Sequence, residues 1–243
     1  DLVFLHAGVA HRSMWQPQID EFSDRYRCTA PDLRGFGDTP IGSEPFSRRD
    51  DVAAVMDSVG AETATIIGCS IGAGIALDFA IEHPGRVDRL VLVGGAPAGF
   101  DAADPDLERF GAQINEAMQN GDVGAAVRLQ VQLWAVGPRR GEDAVREALR
   151  EQVAEWTAAM FRISDWGDSI QLDPLAVERL DEVAVPTLVI VGAEDVELTL
   201  AGSRAIAEGV AGAELVVLDD AAHLPSLEVP ERFNAALRDF LDR

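Results

Sequence analysis

Six short runs in the chain are apolar almost without interruption: Leu2 to Leu5, Arg27 to Ala30, Ala64 to Ile67, Leu90 to Val93, Thr187 to Val191 and Leu215 to Leu218. A strand with one wet face alternates apolar and polar residues, so uninterrupted runs mark strands covered on both faces. The segments between them are long enough for helical crossovers, which in parallel sheets are right-handed. The spacing therefore predicts an α/β fold, a doubly wound, mostly parallel sheet. Ligands of such sheets sit at the carboxyl ends of the strands.

One of those ends carries chemistry. The third run leads into Gly68-Cys69-Ser70-Ile71-Gly72 and then into a small-residue stretch read as helix over Ile71 to His83, with Ile75 and Phe79 on one face and Pro84 and Gly85 as the stop. A Gly-x-Ser-x-Gly between strand and helix is a nucleophile elbow: the serine is lifted above the sheet, and the glycines permit a backbone approach that a Cβ would obstruct. With 22 glycines and 10 serines in 243 residues, the pattern arises by chance roughly 0.08 times per chain, so its strand-to-helix context adds the weight. The competing reading is a glycine-rich turn whose serine merely caps the helix.

A serine nucleophile needs a base, and the base needs an acid to orient it. Of the four histidines, His6 ends the first run, His11 lies in the next loop, and His83 closes a helix as a charge partner for its C-terminus. His223 follows the last run, and in the chain order serine, acid, histidine it alone can serve. Asp195 follows the fifth run in Val-Gly-Ala-Glu-Asp and is the candidate acid, with Glu194 and Glu197 as rivals.

Between Pro97 and Pro174 the strand rhythm gives way to helical segments expected to start near Asp104, Asp122 and Glu142, with Gly121 and Gly137-Pro138 as stops. The expected division is a core of residues 1–97 and 174–243 and a helical lid of residues 98–173. Trp134, Trp156 and Trp166 fall in the lid with Phe100, Phe110 and Phe161. Trp134, Trp156 and Phe161 are its candidate substrate contacts, against the alternative that such aromatics only pack the lid onto the core.

Composition excludes several classes. With 20 basic against 42 acidic residues the net charge is -22, which disfavours nucleic acid and anionic membrane as partners. Every basic residue is arginine, so Schiff-base chemistry on lysine is unavailable. The longest informative uncharged run, Thr63 to Leu77, is 15 residues, short of the roughly 20 needed to span a bilayer. Two cysteines, Cys28 and Cys69, show no metal or redox spacing. The chain starts at Asp1 inside a strand with no leader in sight, which points to a cytoplasmic protein with a trimmed N-terminus.

Taken together, FLHAG, PDLRGFGDT (31–39), GCSIG, VGAED and DDAAHLPSLEVPERF resemble the α/β-hydrolase family across almost the whole chain. The resemblance implies Ser70, Asp195 and His223 as nucleophile, acid and base, and the backbone amides of Gly8 and Ile71 as oxyanion hole, with Ala7 where the family has glycine. The chain would begin at the family's third strand, without the first two antiparallel strands. In the family's strand order Cys28 and Cys69 stand two strands apart, about 9.6 Å, too far for a disulfide. The lid pattern looks most like 3-oxoadipate enol-lactonases and related esterases. The expected substrate is a small ester or lactone, with no metal or organic cofactor. The same triad also serves cofactor-free perhydrolases, haloperoxidases and carbon–carbon hydrolases, and a non-hydrolytic small-ligand receptor can share the fold. Oligomeric state is not legible.

Overall fold

The computed structural model of the chain describes residues 1–163 and 166–243. The six apolar runs become β1 (Leu2–Leu5), β2 (Cys28–Thr29), β3 (Ala64–Cys69), β4 (Val87–Val93), β5 (Thr187–Gly192) and β6 (Glu214–Leu218). They form one sheet in the order β2-β1-β3-β4-β5-β6, every neighbouring pair parallel. Strand order reverses direction between β1 and β3, which opens a crevice above their carboxyl ends. Ser70 stands at the end of β3.

Successive side chains of β1, β3, β4 and β5 feed two separate cores, whereas the edge strand β6, expected to be covered on both faces, leaves Leu215 and Val217 exposed. Leu2, Phe4, Ile67, Cys69, Val91, Val93, Leu188 and Ile190 point to one face, where α1 (Gln16–Phe22) contributes Phe22. Val3, Leu5, Ile66, Leu90, Leu92 and Val189 point to the other, against Val52 and Met56 of α2 (Arg48–Ser58) and Ala76 and Phe79 of α3 (Ile71–Glu82). Full burial of each large side chain is worth about 1.5–3 kcal/mol, and covering both faces is what a sheet without alternation requires.

Between β4 and β5 lie α4 (Pro105–Gln119), α5 (Val123–Gln130), a π-helical turn at Val131–Val136 and α6 (Glu147–Met160). Asp104 and Asp122 cap α4 and α5 by accepting from the amides of Leu107 and Ala125, at 2.9 and 2.8 Å. The helix expected near Glu142 starts later: Glu142–Ala144 is a single tight turn, and α6 begins at Glu147. After β5 come α7 (Glu197–Gly209), the short α8 (Pro225–Glu228) and α9 (Pro230–Leu241). Ile206 of α7 joins the α2/α3 face, and Phe233, Leu237 and Phe240 of α9 join the α1 face.

Cys28 and Cys69 are free thiols on β2 and β3, with β1 between them. Among the described residues no helix is long and apolar enough to cross a membrane.

Candidate active site

Ser70 joins β3 to α3 with φ 55° and ψ -117°, a conformation that costs a side-chain-bearing residue about 1–3 kcal/mol. Its flanking glycines are what make the bend fit. A Cβ on Gly68 would stand 2.1 Å from the Gly72 carbonyl oxygen, and one on Gly72 would stand 2.3 Å from the Leu5 carbonyl oxygen. The Ser70 amide donates to the Val93 carbonyl at 2.8 Å, and its carbonyl accepts from Ala73 at 2.9 Å, so neighbouring strand and helix both hold the bend.

Asp195 and His223 arrive from the loops after β5 and β6. The His223 Nδ1 lies 2.8 Å from Asp195 Oδ2, and both residues are almost wholly buried. A carboxylate only accepts, so Nδ1 carries the proton and Nε2 is left as the basic nitrogen. Asp195 Oδ1 accepts from the Val196 amide at 2.8 Å, which fixes the carboxylate. The rivals are placed otherwise: Glu197 is exposed and 3.5 Å from Arg204, and among the described residues the carboxylate that His223 meets is that of Asp195, not Glu194.

The loop bearing His223 is braced by Glu228 of α8, a residue that sequence reading passed over. Its carboxylate accepts from the amides of Ala222 and Leu224, on either side of His223, and from Arg140 Nη2 at 2.5 Å. Burial pushes the Glu228 carboxyl up, opposed by these donors. Arg139 Nη2 donates to the Asp195 carbonyl at 3.1 Å. The segment following the π-helical turn is thereby tied to the loops of both acid and histidine.

Ser70, Ile71, Trp134 and His223 line two adjoining cavities of about 430 and 340 Å³. The second also takes in Gly8, Val9, Phe36 and Trp166. Gly8 and Ile71 are neighbours, since a Cβ on Gly8 would lie 3.8 Å from the Ile71 side chain. Ile71 opens α3, and the first-turn amides of a helix have no intrahelical acceptor. Of the three aromatics singled out between β4 and β5, Trp134 packs on His223 with ring centroids 4.4 Å apart. Trp156 lies instead against His11 and in the core. Phe161 packs with the helices of the insertion. Neither lines these two cavities.

Of the other histidines, His6 serves structure. His6 is fully buried, its Nδ1–H donating to the Ala7 carbonyl at 2.8 Å and its Nε2 accepting from the Leu33 amide at 3.0 Å. Burial lowers its pKa to about 4, which keeps it neutral. It ties the HAG loop to the PDLRGFGDT loop, where Asp32 accepts from the Arg12 amide at 2.8 Å. Among the described residues no group of three or more His, Cys, Asp or Glu could hold a metal ion.

Asp78 of α3 lines the larger cavity with its Oδ1 buried and unpartnered. Burial pushes its carboxyl up to about 6 from an ordinary 3.8. The folded chain therefore binds the extra proton between those values, and stability falls as pH rises through them. At pH 8 the ionised group costs up to about 3 kcal/mol. Asp78→Asn is expected to raise the unfolding free energy by about 1–3 kcal/mol at pH 8 and by progressively less toward pH 4. Urea denaturation at both pH values checks this; a gain independent of pH would contradict it.

The sequence model of the "Alpha/beta hydrolase family" matches residues 2–236. The chain belongs to that family. It is 30% identical over 254 residues to a 2-hydroxymuconate semialdehyde hydrolase of Pseudomonas sp. (strain CF600), covering 99% of this chain and 86% of that protein. It is 28% identical to carboxylesterase YbfK of Bacillus subtilis (strain 168), covering 99% and 79%. Among solved structures, Est816, described as an N-acyl homoserine lactone degrading enzyme, superposes with a TM-score of 0.76 at 27% identity, covering 98% of this chain and 92% of that one. The α/β-hydrolase fold expected from the motifs is the observed one, and the protein is a hydrolase.

Proposed function

We propose that the protein is a serine hydrolase that cleaves small carboxylic esters or lactones through an acyl-enzyme on Ser70. The reading is carried by Ser70 in a strained elbow whose cavities are shared with His223, itself hydrogen-bonded to buried Asp195 at 2.8 Å. The esterase and lactone-degrading relatives support the ester class.

Ser70 Oγ attacks the substrate carbonyl as its proton passes to His223 Nε2, and Asp195 stabilises the imidazolium. The carbonyl oxygen, now negative, is held by the amides of Gly8 and Ile71, each worth about 3 kcal/mol, with help from the positive end of α3. His223 returns the proton to the departing alcohol, leaving Ser70 acylated. Water then attacks the acyl carbon, gives a proton to His223 and releases the acid, and Ser70 recovers its proton. No metal or organic cofactor enters these steps. Residues 98–173 act as a lid, with Trp134 flanking the reacting centre.

The relative named for a semialdehyde hydrolase favours a second reading, carbon–carbon bond hydrolysis on the same residues. A panel of short p-nitrophenyl esters, lactones, enol-lactones and a dienoic ketone, run beside fluorophosphonate labelling, separates them. Ester and lactone turnover with label on Ser70 is expected. Turnover of the ketone alone selects the second reading, and ligand binding with no label or turnover selects a receptor.

A further inference from the structure

The larger cavity at Ser70 is lined by two adjacent arginines of α2 that are in different states. Arg49 is committed: its Nε donates to Glu82 Oε2 at 2.5 Å and its Nη1 to the Ile170 carbonyl at 3.1 Å. Arg48 has neither hydrogen bond nor ion pair among the described residues, and its Nη1 is buried with no acceptor. It stacks over the Phe46 ring at 5.2 Å, which holds the guanidinium without neutralising it. The nearby Asp51 is taken up by Arg34, whose Nε and Nη2 each reach it at 2.7 Å.

An unpaired cation in a partly dry site is expensive, and burial lowers the Arg48 pKa accordingly. The chain has 42 acidic residues for 20 arginines, so a partner would be easy to supply from within. Asp78, the cavity's own carboxyl, feels Arg49 and Arg179 rather than Arg48. A ligand remains as the source of the missing charge. The planar guanidinium fork suits a carboxylate, which it can bind through two parallel hydrogen bonds.

We propose that Arg48 anchors a carboxylate of the substrate, so that the preferred esters or lactones are those bearing an acidic group on a short chain from the scissile carbonyl. This rests on the reading of Ser70 as nucleophile. Mono-p-nitrophenyl glutarate and methyl p-nitrophenyl glutarate share acyl chain and leaving group and differ in that charge. Wild type is expected to favour the monoanion in kcat/KM, and Arg48→Gln to reduce that preference about tenfold or more, chiefly through KM. Taking the ratio cancels any loss common to both substrates. Arg48→Lys keeps the charge without the fork and should retain part of the preference; it decides the matter if Arg48→Gln does not fold. A wild type indifferent to the charge, or a ratio unmoved by folded Arg48→Gln and Arg48→Lys proteins, overturns the proposal and leaves the serine hydrolase reading standing. Calorimetric titration of Ser70→Ala with glutarate is independent of turnover: binding that weakens on adding Arg48→Gln supports the anchor even if no ester is hydrolysed, and unchanged or absent binding counts against it.

Discussion

Ser70→Ala is expected to lower kcat/KM for p-nitrophenyl butanoate by roughly 10⁴-fold or more, because acylation then has no nucleophile and only the binding site and its oriented amides remain. Ser70→Gly should be equally inactive but more stable. The elbow holds φ at 55°, where glycine is unstrained, so the unfolding free energy should rise by about 1 kcal/mol over Ser70→Ala. Urea denaturation of the pair measures that difference, and progress curves measure the rate. Substantial residual turnover in either variant would move the nucleophile elsewhere. Equal stability would mean that the bend relaxes once the hydroxyl is gone.

Asp195→Asn should lower kcat about 10⁴-fold with little change in fold, as expected when an orienting carboxylate is replaced by an amide. The amide nitrogen can donate to His223 Nδ1 and stabilise the tautomer in which Nε2 carries the proton and cannot accept one from Ser70. Glu197→Gln is the matched control, since Glu197 is exposed beside Arg204. Steady-state kinetics of the two decide: a rate within a few-fold of wild type for Asp195→Asn would release Asp195 from the acid's role.

The four inner strands were legible because burial on both faces leaves an unbroken apolar signature, yet the strand ends were less so. β4 starts at Val87, earlier than its apolar run, because Val87 and Arg89 pair with Ala64 and Thr65, with Asp88 the extra residue between them. β2 shrinks to Cys28–Thr29 at the sheet edge, where it pairs only with Leu2 and Val3 of β1. α2 was not visible in Arg48–Ser58: its charged residues outnumber the pair, Val52 and Met56, that meet the core. At the site, the positions of Ser70 and His223 after strands could be read from motif and order, whereas Asp195 was singled out from Glu194 and Glu197 only by the resemblance, since all three follow β5. Trp134, Trp156 and Phe161 could not be sorted that way, since which aromatic faces the histidine depends on the π-helical turn at Val131–Val136. Glu228 and Arg48 left no signal at all. One acts through amides and the other is marked by a missing partner, and neither is a sequence pattern.

The ties from Arg139 to the Asp195 carbonyl and from Arg140 to Glu228 fasten the middle of the helical insertion to the loops of Asp195 and His223. Displacing this segment would strip the buried Glu228 carboxylate of its cation. A bulky ligand wedged beneath it would therefore strain the Asp195–His223 hydrogen bond through the two loops that hold it.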